Sequence, residues 1–551
     1  MRLELLIAAA LVAIGCLVRR ERPRIGVVVI EAFQRLAARP VLSLFVAGLV
    51  PLLLRFAWLP WRPVPDLIGH DEYCHLLVAE TLLGGRLANP AHAFWQYFEA
   101  PYVLQQPAYA SSYPIGIGAI LAVGMLLTGH AWAGVLLSIG LMSAAICWML
   151  RAWLTPAWSL LGGLLSGITY GVATYWVDSY CGGGLAAAAG AVLFGALARW
   201  KDEPRFGYLA LAIAGGSVSA LIRPFETACV SPAVAVFLLW NARVRLPRLI
   251  LQVAILSMPF VALTALHNYR VTGSPLKLPY QHSQERYGVP PPMTIQEPVT
   301  APGRRQDNVK RVQEWQIKGD QKLRGSRTFF VLWAFRKAYM VTGFFLDYYF
   351  LVPFLLFPAA RLRHIGLVAG SLLCVSGGNL IYPGLSAHYL APITALFILA
   401  ALSGLRRIMQ WRFGVPIVAV LLVCASMRTI RPYMRDQFHP PLQWAYLHRS
   451  LAEEALKTVP GSHLVFVRYQ ERHNFHFDYG YNAAAIDSSP IVWAQEIEPQ
   501  RDAELIRYFR GRHVWVLEVA EGVLRLRHYF PGKTASLGVP PIQRSIKPRL
   551  Y

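Results

Sequence analysis

The carboxylates with the clearest chemical potential lie between residues 60 and 113. Asp71 and Glu72 are adjacent there, and Glu99 follows. Carboxylate oxygens are the ligands that divalent cations prefer, so Asp71 and Glu99 are a predicted cation pair. Asp71 and Glu72 also begin a stretch, Tyr73 to Leu83, whose apolar spacing is typical of a short helix on a membrane surface. A carboxylate that simply caps the start of that helix explains the first two residues equally well.

Two further groups of polar residues stand at the ends of apolar runs. Arg223 has the fork geometry that binds a phosphate through two hydrogen bonds. A salt bridge to Glu226, or anchoring to lipid headgroups, is an equal alternative for this arginine. His388 and Tyr389 open another apolar run, where a capping or packing histidine is the favoured interpretation. Ionisable groups are costly near a membrane, so several of them on one side predict a functional site.

A third polar group, Asp178 and Tyr180, precedes the glycines at 182–184. Such a glycine run indicates either a close approach of the backbone to a ligand or a flexible turn. Cys181 lies in the same segment and could pair with Cys74. Sequence alone cannot place two cysteines within the narrow distance that a disulfide requires, so the pairing stays open.

The composition shows which kind of protein must position these groups. The chain has 551 residues, of which 55% are hydrophobic and 15% are charged, with a mean hydropathy of +0.40. A soluble fold cannot bury that much apolar surface. The net charge of +23 is spread between apolar runs and in two polar regions, so we predict contacts with anionic headgroups and no nucleic-acid partner. The seven cysteines show no metal-binding spacing.

Apolar runs long enough to cross a membrane recur as far as about residue 430. A run at residues 3–18 precedes basic residues and so is not a secretory signal. The run at 114–128 is short and is predicted to be re-entrant or interfacial. The predicted spans are 41–59, 132–150, 158–176, 184–199, 207–222, 225–240, 249–267, 343–359, 365–382, 388–404 and 414–430.

The basic turns then assign a side to each loop. If the run at 114–128 does not cross, the turns that carry Arg151, Arg199, Arg248, Arg361 and Arg406 all lie in the cytoplasm, as the positive-inside rule requires. Loops 60–113 and 269–328 are then external. The predicted fold is an all-α polytopic membrane protein of about 11 to 13 spans over residues 1–430. Residues 431–551 are predicted to form a small external α/β domain, with a helix over 443–457 and strands over 463–468 and 513–518.

The first loop carries a set of motifs that resembles a known family. These motifs are His70-Asp71-Glu72-Tyr73, Ala79-Glu80, Gly84-Gly85-Arg86-Leu87, Tyr97-Phe98-Glu99-Ala100-Pro101 and Tyr113-Pro114-Ile115-Gly116. They resemble the first external loop of the GT-C superfamily, within which protein O-mannosyltransferases and the lipid A aminoarabinose transferase are the nearest relatives. The resemblance implies an external active site, a sugar donor linked to polyprenyl phosphate, and an acidic catalytic residue in this loop. By that likeness Asp71 is the general base.

The chain departs from the family pattern at one position. Relatives often carry a lysine after the second acidic residue, where this sequence has Ala100. Contacts to the donor phosphate therefore fall to Arg223, or to Arg270 and Lys277. The catalytic candidates are Asp71, Glu72 and Glu99. The substrate-binding candidates are Tyr113, Asp178, Tyr180, Arg223, Arg270, His388 and Tyr389.

The predicted function is transfer of a sugar from a polyprenyl-phosphate donor to an envelope acceptor, with inversion at the anomeric carbon. The only cofactor that the residues suggest is a divalent metal ion at Asp71 and Glu99, and the expected partners are the donor, the acceptor and membrane lipids. The predicted location is a bacterial plasma or inner membrane, with residues 431–551 external or periplasmic. Two alternatives stay open. One is a flippase for lipid-linked glycan, which would carry charges at mid-membrane depth, and the other is a non-catalytic envelope assembly protein.

Overall fold

The computed structural model describes residues 24–172, 174–242, 246–287, 293–294, 296, 306–346, 349–424, 449–470, 473–520 and 523–529. The predicted run at 3–18, the end of the predicted span 414–430 and the start of the predicted helix 443–457 lie outside these residues.

The first half of the described chain is a series of helices separated by one polar loop. The helices are α1 Arg24–Ala38, α2 Pro40–Ala57, α3 His70–Leu83, α4 Ile115–Thr128, α5 Trp132–Leu150, α6 Pro156–Gly171, α7 Gly184–Asp202, α8 Phe206–Ile222, α9 Pro224–Asn241 and α10 Leu246–Thr272. Each predicted span from 41 to 267 corresponds to one of these helices, which confirms the helical prediction for this half.

The second half continues as helices and ends in a small sheet. The helices are α11 Pro279–Tyr287, α12 Asp307–Gly325, α13 Arg327–Val341, α14 Leu351–Leu355, α15 Ile365–Ile381, α16 Thr394–Ile408, α17 Gly414–Cys424, α18 Arg449–Lys457 and α19 Pro499–Tyr508. Short 3₁₀ segments at Phe357–Ala360 and Ala387–Ile393 join some of them.

Five helical segments of the described chain are long and apolar enough to cross a membrane. They are Pro40–Ala57, Trp132–Leu150, Leu246–Thr272, Arg327–Leu346 and Ala387–Ile408. Four shorter apolar helices accompany them, namely Ile115–Thr128, Phe206–Ile222, Ile365–Ile381 and Gly414–Cys424. The chain is therefore an integral membrane protein. The number of spans and the side of each loop stay predictions.

One predicted span is wrong. Instead of a helix over 343–359, the helix begins at Arg327, ends in a π-helical turn at Leu346, and is followed by two short helical turns. Arg336 and Lys337 interrupt the apolar pattern, so the span was predicted to begin after them, at residue 343. In the structure Lys337 is 2% exposed and donates hydrogen bonds to the backbone carbonyls of Asn379 and Tyr382, so its charged group is covered by the protein.

The short run at 114–128 forms α4, a helix of 14 residues. At 1.5 Å per residue it spans about 21 Å, which is less than the hydrocarbon thickness of about 30 Å. It packs between α3 and α5. Its close contact with α5 occurs where Gly124 meets Gly134, because side chains there would overlap the neighbouring backbone. The assignment as a re-entrant segment stays a prediction.

Residues 60–113, called the first loop below, contain α3 and a three-stranded antiparallel sheet. Its strands are β1 Asn89–Pro90, β2 Val103–Leu104 and β3 Ala108–Ser111, in the order β1-β3-β2. This sheet was not predicted from the sequence. Its strands have only two to four residues, too few to show an alternating pattern.

Residues 449–529, called the C-terminal domain below, form a four-stranded sheet with helices α18 and α19. The strands are β4 His463–Tyr469, β5 Ile491–Gln495, β6 His513–Ala520 and β7 Val523–His528. Their order is β5-β4-β6-β7, with β4 parallel to both neighbours and β7 antiparallel to β6. The predicted α/β character and both predicted strands are confirmed.

The C-terminal domain packs directly against the first loop. One buried apolar cluster joins Leu77 and Phe98 of the loop to Leu464 and Phe466 of β4. A hydrogen bond of 2.8 Å from Gln495 Nε2 to the backbone carbonyl of Glu99 fixes the same contact. The first loop and the C-terminal domain therefore form one packed unit.

A glycine in α7 allows the segment that carries His388 to approach closely. A Cβ atom at Gly190 would lie far inside van der Waals contact with the carbonyl oxygen of Pro392. The Cβ atom and the carbonyl oxygen of Pro392 are both fixed to the backbone, so neither can move aside easily.

Replacing Gly190 with alanine should therefore destabilise the protein by about 1–3 kcal/mol, the usual effect of overpacking. Gly207→Ala, in α8, is the matched control because no atom lies within 4 Å of its Cβ position. Thermal unfolding of both purified variants in detergent measures the effect. Equal thermal midpoints for Gly190→Ala and Gly207→Ala would contradict the close approach.

Candidate active site

Asp71 lies in the first turn of α3, at the end of the helix whose dipole favours a negative charge. Its Oδ1 atom accepts a hydrogen bond of 2.6 Å from the hydroxyl of Tyr113. The side chain is only partly buried, so the carboxylate combines a fixed orientation with access from outside. Those are the properties that a general base requires.

Tyrosines surround this carboxylate. Tyr102, Tyr280 and Tyr389 all interact electrostatically with Asp71, although they come from three distant parts of the chain. Burial, followed by the charge of Asp71, raises the pKa of Tyr113 well above its usual value, so its hydroxyl stays protonated and can donate. Tyr102 has a φ angle of 60°, a conformation that non-glycine residues seldom adopt and that is frequent at functional sites.

Arg223 provides the positive charge of the site. It lies between α8 and α9, and its guanidinium stacks 5.5 Å from the ring centre of Tyr389. The Nε atom is buried and has no hydrogen-bond partner within the part of the chain that the structure describes. Glu226 interacts with Arg223 electrostatically. A buried guanidinium nitrogen that lacks a partner is costly, so this site favours an additional acceptor group.

The carboxylate and the guanidinium belong to one site. Tyr389 interacts electrostatically with both Asp71 and Arg223, and so does Cys181. His388 joins the same wall, where its Nδ1 atom lies 3.2 Å from the hydroxyl of Tyr175. The structure therefore brings together predicted site residues from the first loop, the α8–α9 turn and the segment before α16.

Glu72 has different surroundings from Asp71. Its two oxygens accept hydrogen bonds from the backbone nitrogens of Ile68, Gly69 and Tyr180, at 2.7, 2.8 and 3.0 Å. Burial raises the pKa of Glu72, while these three donors act in the opposite direction. Tyr180 in turn donates its hydroxyl to the carbonyl of Pro65 at 3.0 Å. Both residues hold backbone segments together behind the site.

Asp178 is engaged by two arginines. Its Oδ1 lies 3.1 Å from Arg55 and its Oδ2 lies 3.1 Å from Arg62. The Arg55 side chain is fully buried, and it also donates to the carbonyls of Arg62 and Pro63. Asp178 therefore neutralises a buried cation at the end of α2. Arg55 was missed in the sequence because a single arginine near the end of an apolar run is usually an interfacial anchor.

Glu99 lies at the contact between the first loop and α12. It is 7% exposed, and its Oε2 accepts a hydrogen bond of 3.2 Å from the backbone nitrogen of Gln306. No group of three His, Cys, Asp or Glu side chains that could hold a metal ion occurs within the described residues. Cation binding by Asp71 and Glu99 therefore stays a prediction.

The remaining sequence candidates are two basic residues and a possible disulfide. Arg270 is exposed near the end of α10, and Lys277 forms an ion pair with Glu285. Cys74 and Cys181 are both free cysteines, so the possible disulfide is not formed in this structure. Cys74 is buried in the contact with the C-terminal domain.

Several residues of the site were not among the catalytic and substrate-binding candidates. His70 links the start of α3 to the C-terminal domain, with its ring nitrogens 3.1 Å from Tyr481 Oη and 2.9 Å from the carbonyl of Phe475. Tyr102 and Tyr280 join the tyrosines around Asp71. His75 lies one turn after Asp71 on α3, a spacing that places both side chains on one face. That spacing is the signal that could have identified His75.

Comparisons with known proteins identify structures with a similar fold. No family model and no curated protein matches the sequence. ArnT from Cupriavidus metallidurans, solved bound to undecaprenyl phosphate, has a similar structure. It is 13% identical, with a TM-score of 0.50 over 86% of this chain and 92% of ArnT. The oligosaccharyltransferase of Archaeoglobus fulgidus, in its apo form, is 12% identical, with a TM-score of 0.43 over 78% of this chain and 62% of that protein.

The chain shares its fold with ArnT, and at the level of fold this confirms the resemblance to the GT-C superfamily found in the first loop. At this level of identity the likeness establishes the fold. The substrates must be inferred from the residues of the site.

Asp178→Asn should destabilise the protein, because Arg55 would remain buried without its counter-charge. Breaking a pair of this kind costs about 3 kcal/mol. Asp66→Asn is the matched control, since Asp66 is an exposed aspartate of the first loop. Thermal midpoints of the two variants in detergent measure the difference. If Asp178→Asn were as stable as Asp66→Asn, the charge pairing at the end of α2 would be wrong.

Proposed function

We propose that this protein is a glycosyltransferase that moves a sugar from a polyprenyl-phosphate donor to an envelope acceptor. The observation that carries the proposal is the pairing of a half-buried, oriented carboxylate, Asp71, with a guanidinium at Arg223 that has a buried unpaired nitrogen. The shared fold supports it, because ArnT binds undecaprenyl phosphate in its solved structure.

In the proposed reaction Asp71 takes the proton of an acceptor hydroxyl. The freed oxygen attacks the anomeric carbon of the sugar, a new glycosidic bond forms, and the bond from that carbon to the phosphate oxygen breaks. The phosphate leaves with the electron pair. Tyr113 occupies Oδ1 of Asp71, so Oδ2 is the oxygen that faces the acceptor. A single displacement of this kind inverts the anomeric centre.

Arg223 stabilises the departing phosphate in this proposal. Its guanidinium offers donors in a planar fork that matches two phosphate oxygens. The ring of Tyr389 holds the guanidinium on one side, and Tyr382 packs against Tyr389 with ring centres 4.7 Å apart. Stabilising charge as it develops on a leaving group is among the largest contributions to catalysis.

The other candidates take supporting roles. Glu72, Tyr180 and Asp178 position the backbone behind the site, while His388 and Tyr389 form its wall next to Arg223. Glu99 holds the start of α12 against the first loop, on the side of the site where the acceptor is proposed to bind. Arg270, exposed on α10, is proposed to attract the lipid phosphate as it approaches. We place the reaction on the external face of a bacterial inner membrane, with the C-terminal domain on the same side.

Replacement of Asp71 by asparagine should lower transfer by about 10²–10⁴-fold, the usual contribution of a general base. The amide keeps the size of the side chain and the contact with Tyr113, so folding should be unaffected. Transfer of radiolabel from polyprenyl-phosphate sugars is measured in membranes that contain equal amounts of each variant. Asp66→Asn, also in the first loop, is expected to retain wild-type transfer. Full activity in Asp71→Asn would remove Asp71 from the reaction.

Arg223→Lys should also lower transfer, because lysine keeps the charge but lacks the planar fork. We expect kcat/KM for the donor to fall by about 30-fold or more, in line with the loss of a buried charge-assisted contact. The same transfer assay, run over a range of donor concentrations, measures this change. Arg205→Lys, at the opposite end of α8, is the control and should behave as wild type. Unchanged kinetics in Arg223→Lys would exclude a bidentate phosphate contact.

A further inference from the structure

His75 is a buried polar side chain that the proposed reaction does not yet use. It lies one turn after Asp71 on α3 and is 3% exposed. Its Nδ1 atom is buried and has no hydrogen-bond partner among the described residues. The residue next to it in the chain, Cys74, has a different environment, since it packs into the contact with the C-terminal domain.

The neighbours of His75 belong to both halves of the active site. Its ring centre lies 5.0 Å from that of Tyr113, the residue whose hydroxyl binds Asp71. On the other side, His75 interacts electrostatically with Arg223 and His388. His75 thus lies against Tyr113, the partner of the proposed base, and within electrostatic range of Arg223, the proposed phosphate-binding cation.

The charge state of His75 limits what it can do. Burial, followed by the positive charge of Arg223, lowers the pKa of His75 to about 3. The imidazole is therefore neutral at physiological pH, with one nitrogen that donates and one that accepts a hydrogen bond. A neutral imidazole is suited to pairing with a hydroxyl group and unsuited to neutralising a phosphate. Leaving a buried imidazole nitrogen without a partner is costly, which favours pairing with a ligand hydroxyl over a role in packing alone.

The geometry of the proposed displacement indicates which part of the substrate lies next to His75. The attacking oxygen lies near Asp71 and the departing phosphate lies near Arg223, so the transferred sugar must lie between them. We propose that His75 is a sugar-binding residue, which pairs with a ring hydroxyl of the transferred sugar and so contributes to donor specificity. This inference rests on the proposed glycosyltransferase function and names a residue that discriminates between donors.

The test combines variants of His75 with donors that lack single hydroxyl groups. His75→Phe removes both nitrogens while keeping a ring, and His75→Asn keeps a hydrogen-bonding group near the position of Nδ1. Cys74→Ala, on the same helix, is the control for a change to a buried side chain. The donors are undecaprenyl-phosphate-linked glucose, mannose, galactose and arabinose, each with its monodeoxy analogues. For every enzyme, kcat/KM on a parent sugar is compared with kcat/KM on its analogues.

We expect one hydroxyl to matter specifically. The wild type and Cys74→Ala should lose about tenfold or more in kcat/KM on one monodeoxy analogue. His75→Phe should lose a similar factor on the parent sugar and show no further loss on that analogue, whereas His75→Asn should recover part of the discrimination. The intrinsic reactivity of each analogue cancels in the ratio between variant and wild type.

Other outcomes overturn the inference in distinguishable ways. If the wild type transfers sugar but His75→Phe discriminates against every analogue as the wild type does, His75 does not bind the sugar and the proposed function stands. If His75→Phe is not obtained as folded protein, His75→Asn decides by the same ratio. If the wild type transfers none of these sugars while it is folded, both the proposed function and the role of His75 are wrong.

Discussion

The active site depends on the hydrogen bonds that the Glu72 carboxylate accepts. Three backbone nitrogens, from Ile68, Gly69 and Tyr180, converge on this one side chain. They tie the start of α3 to the segment before α7, and Asp71 is the residue immediately before Glu72. The direction of the proposed base is therefore set by a neighbour whose two carboxylate oxygens are both engaged by backbone donors. Two adjacent acidic residues thus do different work, because one faces the backbone and the other faces the site.

Buried cations elsewhere in the structure are also compensated by groups of the protein. Arg55 at the end of α2 is neutralised by Asp178, and the ammonium group of Lys337 is covered by backbone carbonyls at the end of α15. Each cation fixes a segment that carries site residues, since Asp178 lies beside Tyr180 and Lys337 binds the carbonyl of Tyr382. Arg223 has Glu226 as its electrostatic partner and stacks on Tyr389, and its Nε atom, like that of Arg55, has no hydrogen-bond partner among the described residues. An unpaired buried donor is costly, and at Arg223, which stacks on a tyrosine that interacts with Asp71, it favours an acceptor group from a ligand.

Local signals in the sequence were sufficient to predict the start of α3 and most helices in the first half of the chain. The position of Asp71 at a helix start could be predicted because the motif and the apolar spacing of α3 are contiguous. The helices α2 and α4 to α10 could be predicted from apolar runs, whereas α1 lies in a segment rich in basic residues and was not predicted. The Asp178–Arg55 pair could not, because 123 residues separate its members and neither is unusual alone. The start of α13 was predicted too late because Lys337 looks like a loop residue until its buried partners are known.

The C-terminal domain could be predicted as a fold but not as part of the site. His70, directly before Asp71, contacts Tyr481 and Phe475 from a distance of more than 400 residues along the chain. Tyr481 also donates to the carbonyl of Pro101 at 2.8 Å, next to Tyr102. Tyr102 is one of the tyrosines near Asp71, so the domain supports the catalytic carboxylate from two directions. Because these contacts come from opposite ends of the sequence, the geometry around Asp71 depends on correct docking of the whole domain, and not on the first loop alone.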